Sequence, residues 1–264
     1  MDNATGEIKV AFGSTAYGPL WAPAVTSWLR VIGVTSRKFS CQYLGDVVGA
    51  GVTDRTYTAS AQNALVQDML NIPDATHLFL TEMDMILPDD CITKLLALDK
   101  DMASGVYFLR SPEQVGRGQP CLYKRAPGTE WRRRIAAREN GAYLCSPVSL
   151  FPTDRPFEID VAGLGCVLIK REVFEAMKKP WFDVKAGSGE ALTGYGSDMF
   201  FYAHAREKGF KLWCDPTVIC GQIDYYVTDM EDYRWQLENN PGFAGRGYII
   251  GTGGHAIITP DSAA

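Results

Sequence analysis

The stretch FLTEMDMILPDD, Phe79–Asp90, breaks an apolar run with two carboxylates one residue apart, Glu82 and Asp84, then adds Pro88, Asp89 and Asp90. Read locally, it closes a buried strand begun at His77, and LPDD opens a helix continued by CITKLLAL, since proline and aspartate suit a first helical turn. Along an extended chain residues i and i+2 share a side, so Glu82 and Asp84 can face one ligand while Met83 turns to the core. Hard divalent cations take oxygen ligands, and Mg²⁺ is commonly held by one or two carboxylates plus substrate phosphates. Acid-x-acid triplets arise by chance in a chain with 31 acids, so the position of this one decides its meaning.

Working outward, strands and helices alternate. Ile8–Phe12 reads as a strand ending in the loop GSTAYGP, and Pro19 and Pro23 introduce a helix with Trp21, Val25, Trp28, Leu29 and Ile32 at helical spacing. Phe39–Gly45 is a second strand, Ala64–Ile72 a helix stopped by Pro73-Asp74, and Asp101–Phe108 another strand. This alternation predicts an α/β fold: a mostly parallel central sheet with helices on both faces. Ligands of such sheets collect at the carboxyl ends of the strands, where Glu82 and Asp84 lie. Downstream, Cys166–Lys170 is a strand leading into REVFEAM, a helix runs from Ser197 to Lys208 and stops at Gly209, and FKLWCD is a last strand. The expected organisation is one domain over 1–224 and a lid or tail over 225–264.

Bulk composition narrows the classes. The 46% hydrophobic and 22% charged fractions are those of a globular protein, and no apolar run reaches the roughly 18 residues of a membrane span. MDNATGEIKV lacks a basic then apolar leader, and seven scattered cysteines without C-x-x-C suit a reducing cytoplasm, with the protein free or peripheral to a membrane. A net charge of −5 argues against general nucleic-acid binding. The basic stretch Lys124–Asn140 reads first as a solvated segment, second as a contact for an anionic ligand or membrane surface. Three dispersed histidines leave little for Ser-His-Asp or zinc chemistry, and the first loop lacks the G-x-G-x-x-G of a dinucleotide site.

The run THLFLTEMDMILPDDCITKLLALDKDMASGVYF resembles the region around the acid-x-acid motif of GT-A fold glycosyltransferases, particularly family-2-like enzymes of bacteria and phages. That resemblance implies a divalent metal, Mn²⁺ or Mg²⁺, held by Glu82 and Asp84 on a nucleotide diphosphate sugar. DVAGLGCVLIKREVFEAMKKPWF is similar to the family's segment in which a glycine-rich turn precedes a strand, a helix and an aromatic pair, which makes Asp160, Gly163, Gly165 and Trp181 candidate acceptor or sugar contacts, with Trp181 reading equally as a buried core aromatic. Glycine lets a backbone approach a ligand, and an indole offers a stacking face. GYGSDMFFYAHAREKGFKLWCDP resembles the helix with the family's Glu-Asp motif, so Asp198 is implied as the general base toward an acceptor hydroxyl.

Other matches carry departures. ICGQI is similar to a C-G-H-x segment whose histidine completes the metal site, but Gln222 stands here; His255 is a possible substitute from the tail. Gly13, Ser14 and Thr15 match the loop that contacts base and ribose, with Met83 beside the acidic pair. TASAQNALV resembles a segment often reading R-A-R-N, so Asn63 persists while Gln62 replaces a basic residue. The resemblance implies transfer of a sugar from a UDP- or GDP-sugar to a glycan, lipid or protein hydroxyl, with inversion. The alternatives are a catalytically silent nucleotide-sugar or glycan-binding protein on the same fold, and a nucleotidyltransferase, for which no triphosphate loop is found.

Overall fold

The computed structural model describes residues 7–16, 20–48, 55–109, 118–125, 145–184, 196–223, 227–228, 230–239, 248–250 and 256–257. Seven strands form the central sheet: β1 (Lys9–Ala16), β2 (Ser40–Val48), β3 (His77–Glu82), β4 (Met102–Val106), β5 (Phe157–Ile159), β6 (Cys166–Lys170) and β7 (Leu212–Ile219). Their order across the sheet is β5-β7-β4-β6-β3-β1-β2. β1 runs parallel to β2 and β3, and β7 parallel to β4. β6 lies antiparallel to both β3 and β4, and β5 antiparallel to β7, so five of the seven strands share a direction.

Alternation along each strand splits the core between two faces. Val10 and Phe12 of β1, Phe79 of β3 and Leu168 of β6 turn to one face, where they meet Ala24, Trp28 and Val31 of α1 (Ala22–Thr35) and Ile92 and Leu95 of α3 (Cys91–Ala97). Ala11, Leu78, Leu80, Val167 and Ile169 turn to the other. There they meet Leu65, Val66 and Met69 of α2 (Arg55–Leu70), Val173 and Phe174 of α4 (Arg171–Glu175), and Phe201 and Ala205 of α5 (Ser197–Glu207). Helices therefore cover both faces, as the alternation of elements predicts.

Three departures from the sequence reading have local causes. The segment 13–15 belongs to β1, not to a loop: Gly13, Ser14 and Thr15 pair with Leu80, Thr81 and Glu82, and a strand held on both edges continues through small polar residues. α2 starts at Arg55, well before its apolar stripe, which places Thr58 and Gln62 over the carboxyl edge of the sheet. β3 ends at Glu82 and a turn follows, so Asp84 no longer obeys the strand alternation that would align it with Glu82.

Smaller ladders extend the body. Gly221–Ile223 pairs with Met85–Ile86 and Val227–Thr228, and Leu122–Arg125 joins Cys145–Leu150 and Tyr248–Ile250 in a second sheet. From α6 (Met230–Asn239), Tyr233 stacks on Phe108 and Phe151 at 5.2 and 5.3 Å and donates to Ser149 O at 2.8 Å. Gly209 has φ +91°, the left-handed geometry expected just past α5. No described helix is long and apolar enough to cross a membrane.

Candidate functional site

The topology gathers polar side chains at one edge of the sheet. Glu82 closes β3 and Tyr107 follows β4; because β6 runs the other way, its lead-in Gly163-Leu164-Gly165 arrives at the same edge. The first turn of α5 brings Gly196, Ser197 and Asp198, and the first half of α2 brings Thr58 and Gln62. Together these residues, Gly165 aside, line with Val184 a cleft of about 160 Å³, and none of its described lining residues is a lysine, arginine or histidine.

Close approach shapes this cleft. A Cβ on Gly163 would sit 1.7 Å from the Tyr107 hydroxyl, and one on Gly196 would sit 2.4 Å from Asp198 Oδ1. Gly163 thus makes room for a phenol, and Gly196 lets a carboxylate fold back over the start of α5. Asp198 Oδ1 accepts from its neighbour Met199 N at 2.7 Å, in the first turn, where the helix dipole favours an anion. Burial, then repulsion from Asp84 and Asp198, pushes the Glu82 carboxyl up to about 8. Tyr107 is held well above the ordinary phenol range, chiefly by burial, with Cys121 and Glu82 adding to it. Gln62, 2% exposed, keeps its Oε1 buried without a hydrogen-bond partner among the described residues.

Asp84 stands beside the cleft, not in its lining. Gln222 Nε2 donates to Asp84 Oδ2 at 3.2 Å, and the backbone locks the pair: Ile223 N donates to Asp84 O at 2.8 Å and Gln222 pairs with Met85. Gln222 Oε1 is buried without a hydrogen-bond partner among the described residues. No group of three or more His, Cys, Asp or Glu converges on a metal among those residues. A carboxylate and an amide oxygen do suit a hard cation that draws its remaining ligands from a substrate diphosphate.

The other expected site residues have different surroundings. Asn63 is a framework residue: its Oδ1 accepts from Trp181 N and Phe182 N at 2.9 and 3.2 Å, and its Nδ2 donates to Phe182 O. Trp181 is not a stacking platform, because its ring is 4% exposed, lies edge-on to Phe174, and donates Nε1–H to Phe174 O at 2.9 Å. Asp160 is tied up: it accepts from Arg125 N at 2.8 Å and pairs with Arg206 and Lys124. A Cβ on Gly13 would meet Leu65 at 3.0 Å and one on Gly165 would meet Met85 at 2.8 Å, so close packing calls for glycine at both. Ser14 Oγ lies 3.4 Å from the Tyr43 hydroxyl. Thr15 lies beside Glu82 across the ladder, and its backbone oxygen accepts from the buried Met83 N. His255 lies outside the described residues, as does most of the basic stretch, 126–140.

Thr58 and Tyr107 line the cleft without a sequence motif to single them out, and Ser197 precedes Asp198 in the segment that resembles a Glu-Asp helix. Tyr107 had one available signal, its place at the end of a strand on the edge where ligands gather. Cys166 contacts both Cys91 and Cys220 in the core of the α1 face, and all seven cysteines are free thiols.

No protein-family model matches the chain, and no curated protein does. Among solved structures, A197 from STIV is similar over 97% of this chain and 97% of that one, with a TM-score of 0.51 and 15% identity. A glycosyltransferase involved in the glycosylation of the major capsid of PBCV-1 aligns over 66% of this chain and 68% of its own, with a TM-score of 0.34 and 10% identity. A Drosophila β1,4-galactosyltransferase 7 mutant, in complex with manganese, UDP-Gal and xylobiose, aligns over 88% and 74%, with a TM-score of 0.38 and 10% identity. The first is a likeness of fold, and the two looser ones add no weight to it. The chain thus has a mixed α/β fold shared along its length with A197 from STIV, and its looser structural neighbours include glycosyltransferases.

Proposed function

We propose that the protein is a GT-A type, inverting glycosyltransferase that moves a sugar from a UDP- or GDP-sugar to an acceptor hydroxyl of a glycan, lipid or protein. The observation that supports this most is the pairing of Glu82 and Asp198 in a cleft lined by carboxyl groups, amide, hydroxyl and phenol, with no basic side chain among its described residues. Such a lining both donates hydrogen bonds to and accepts them from hydroxyl groups, and the Asp198 carboxylate disfavours a bare anion, so it suits sugar rings. A diphosphate belongs next to it, where Asp84 and Gln222 offer two oxygens to Mn²⁺ or Mg²⁺. That cation, when bound, supplies neutralisation of the departing diphosphate.

Asp198 takes the acceptor's hydroxyl proton as the new bond forms between that oxygen and the anomeric carbon. The bond from that carbon to the diphosphate oxygen breaks in line, and its electron pair leaves with the nucleotide. Gln62 holds a ring hydroxyl through its otherwise unused amide oxygen. A screen of UDP- and GDP-sugars with Mn²⁺ or Mg²⁺ should find one that is turned over, and Asp198→Asn should lower kcat by about 10²- to 10⁴-fold. Undiminished turnover by Asp198→Asn, or by Asp84→Ala with EDTA present, overturns the mechanism.

One observation favours a second reading, a silent nucleotide-sugar or glycan-binding protein: glutamines stand at both 62 and 222, leaving few charges to carry a diphosphate. Calorimetry with UDP and Mn²⁺ beside the turnover assay separates the two, since binding without turnover of any donor supports the silent protein.

A further inference from the structure

We propose that the solvent face of α1 docks the protein on an anionic lipid surface. This surface is separate from the cleft and stands whether or not the protein transfers sugars. Leu29 is 66% exposed, Trp21 at the helix N-cap 47% and Leu20 before it 40%, an unusual display for large apolar side chains in a helix that buries Trp28 and Val31 on its other side. At about 100° per residue, Trp21, Val25, Leu29 and Ile32 fall within roughly 80° of one another on the helix wheel, a single stripe along one flank. Val25 and Ile32 are half-buried at its inner margin.

Charge identifies the occupant. Between Glu7 and Asp46 the chain carries Lys9, Arg30, Arg37 and Lys38 and no acid, although the whole protein is at −5. Lys9 is taken by Asp74. Arg30, Arg37 and Lys38 are exposed and enter no ion pair among the described residues. Arg30 projects from the solvent side of α1, about 100° round the wheel from Leu29, and Arg37 and Lys38 lie in the turn that follows the helix. A tryptophan and leucines flanked by cations make an interfacial helix, whose rings sit at headgroup depth while guanidinium groups reach lipid phosphates. A second copy of this chain is a poorer partner, because two such faces would set like charges together. α1 begins on the carboxyl edge of the sheet, so docking through Leu20 and Trp21 holds the cleft's edge near the lipid.

Cosedimentation of the full chain with vesicles of phosphatidylcholine, with and without phosphatidylglycerol, tests this. The protein should pellet with the mixed vesicles at low ionic strength, stay in the supernatant with phosphatidylcholine alone, and be released by salt. Arg30→Gln and Arg37→Gln should each weaken partitioning by about fivefold. Trp21→Ser/Leu29→Ser should weaken it at least as much with an unchanged circular dichroism spectrum, since neither side chain is in the core. Failure to pellet with phosphatidylglycerol vesicles at low salt overturns the proposal. So does binding that the four substitutions leave unchanged, or a dimer that Leu29→Ser disperses.

Discussion

Asp198, Glu82 and Tyr107 share a cleft because two glycines vacate the space beside them. The contact at Gly163 is the tighter, so its variant is the more informative. Gly163→Ala should push Tyr107 out of place and cost on the order of 1–3 kcal/mol, the usual penalty for overpacking. Tyr107→Phe removes the hydroxyl that the new methyl meets, so the double variant should lose less in urea unfolding than the two single losses added together. A strictly additive cycle would place the clash elsewhere. The residue scale is also where the sequence was hardest to read. Asn63 and Trp181 look like ligand contacts along the chain, yet they satisfy each other's neighbourhood, the amide fixing the backbone that carries the indole. Nothing in either residue's local pattern reveals a partner more than a hundred positions away. The places of Glu82 and Asp198, by contrast, were legible, Glu82 from the end of its apolar strand and Asp198 from the resemblance of its segment to a helix with a Glu-Asp motif.

Elements were easier to read than contacts, and the reason is visible at Cys166–Lys170. Its five residues were marked as a strand with the boundaries observed, but a continuous apolar run is silent on direction, and the chain uses it antiparallel between β3 and β4. That reversal brings Gly163 to the cleft. Strand lengths were underestimated where small polar residues continue a paired edge, as in GSTA of β1. α4 shows how the next element serves the last. Its first residue, Arg171, donates Nη1 to Ile72 O at 2.8 Å and Nη2 to Leu70 O at 3.0 Å, satisfying carbonyls at the C-terminal end of α2 that have no partner within the helix. A guanidinium also complements the negative end of the dipole. Arg171→Ala should therefore cost about 1–3 kcal/mol in denaturant unfolding, and Arg171→Lys should restore only part, since one ammonium cannot replace the two-pronged contact. Full rescue by lysine would mean that charge alone matters there.

For the whole molecule, two buried groups pull the pH dependence of stability in opposite directions. His77 opens β3, and burial, then the charge of Lys170, lowers its pKa from 6.5 to about 4. The unfolded chain binds the extra proton between those values, so His77 costs stability as pH falls from 6.5 toward 4. Glu82 has the reverse sign: its pKa rises from 4.5 to about 8, the folded protein holds the extra proton in that window, and stability is lost as pH climbs through it. Where the windows overlap, between 4.5 and 6.5, the two nearly cancel. Asp74 and Asp99, both lowered below 3.8 by lysine partners, act only below that range. Urea midpoints measured in EDTA should therefore change little from pH 4.5 to 6.5 in the native chain. Glu82→Gln should expose the histidine, with stability rising with pH by up to about 1.4 kcal/mol per unit, and His77→Gln should expose the carboxyl, with stability falling at a similar rate. If either variant keeps the flat profile, the group it removes is not titrating with a shifted pKa in the fold, and for Glu82 that would mean a carboxylate already compensated by a neighbour in the cleft.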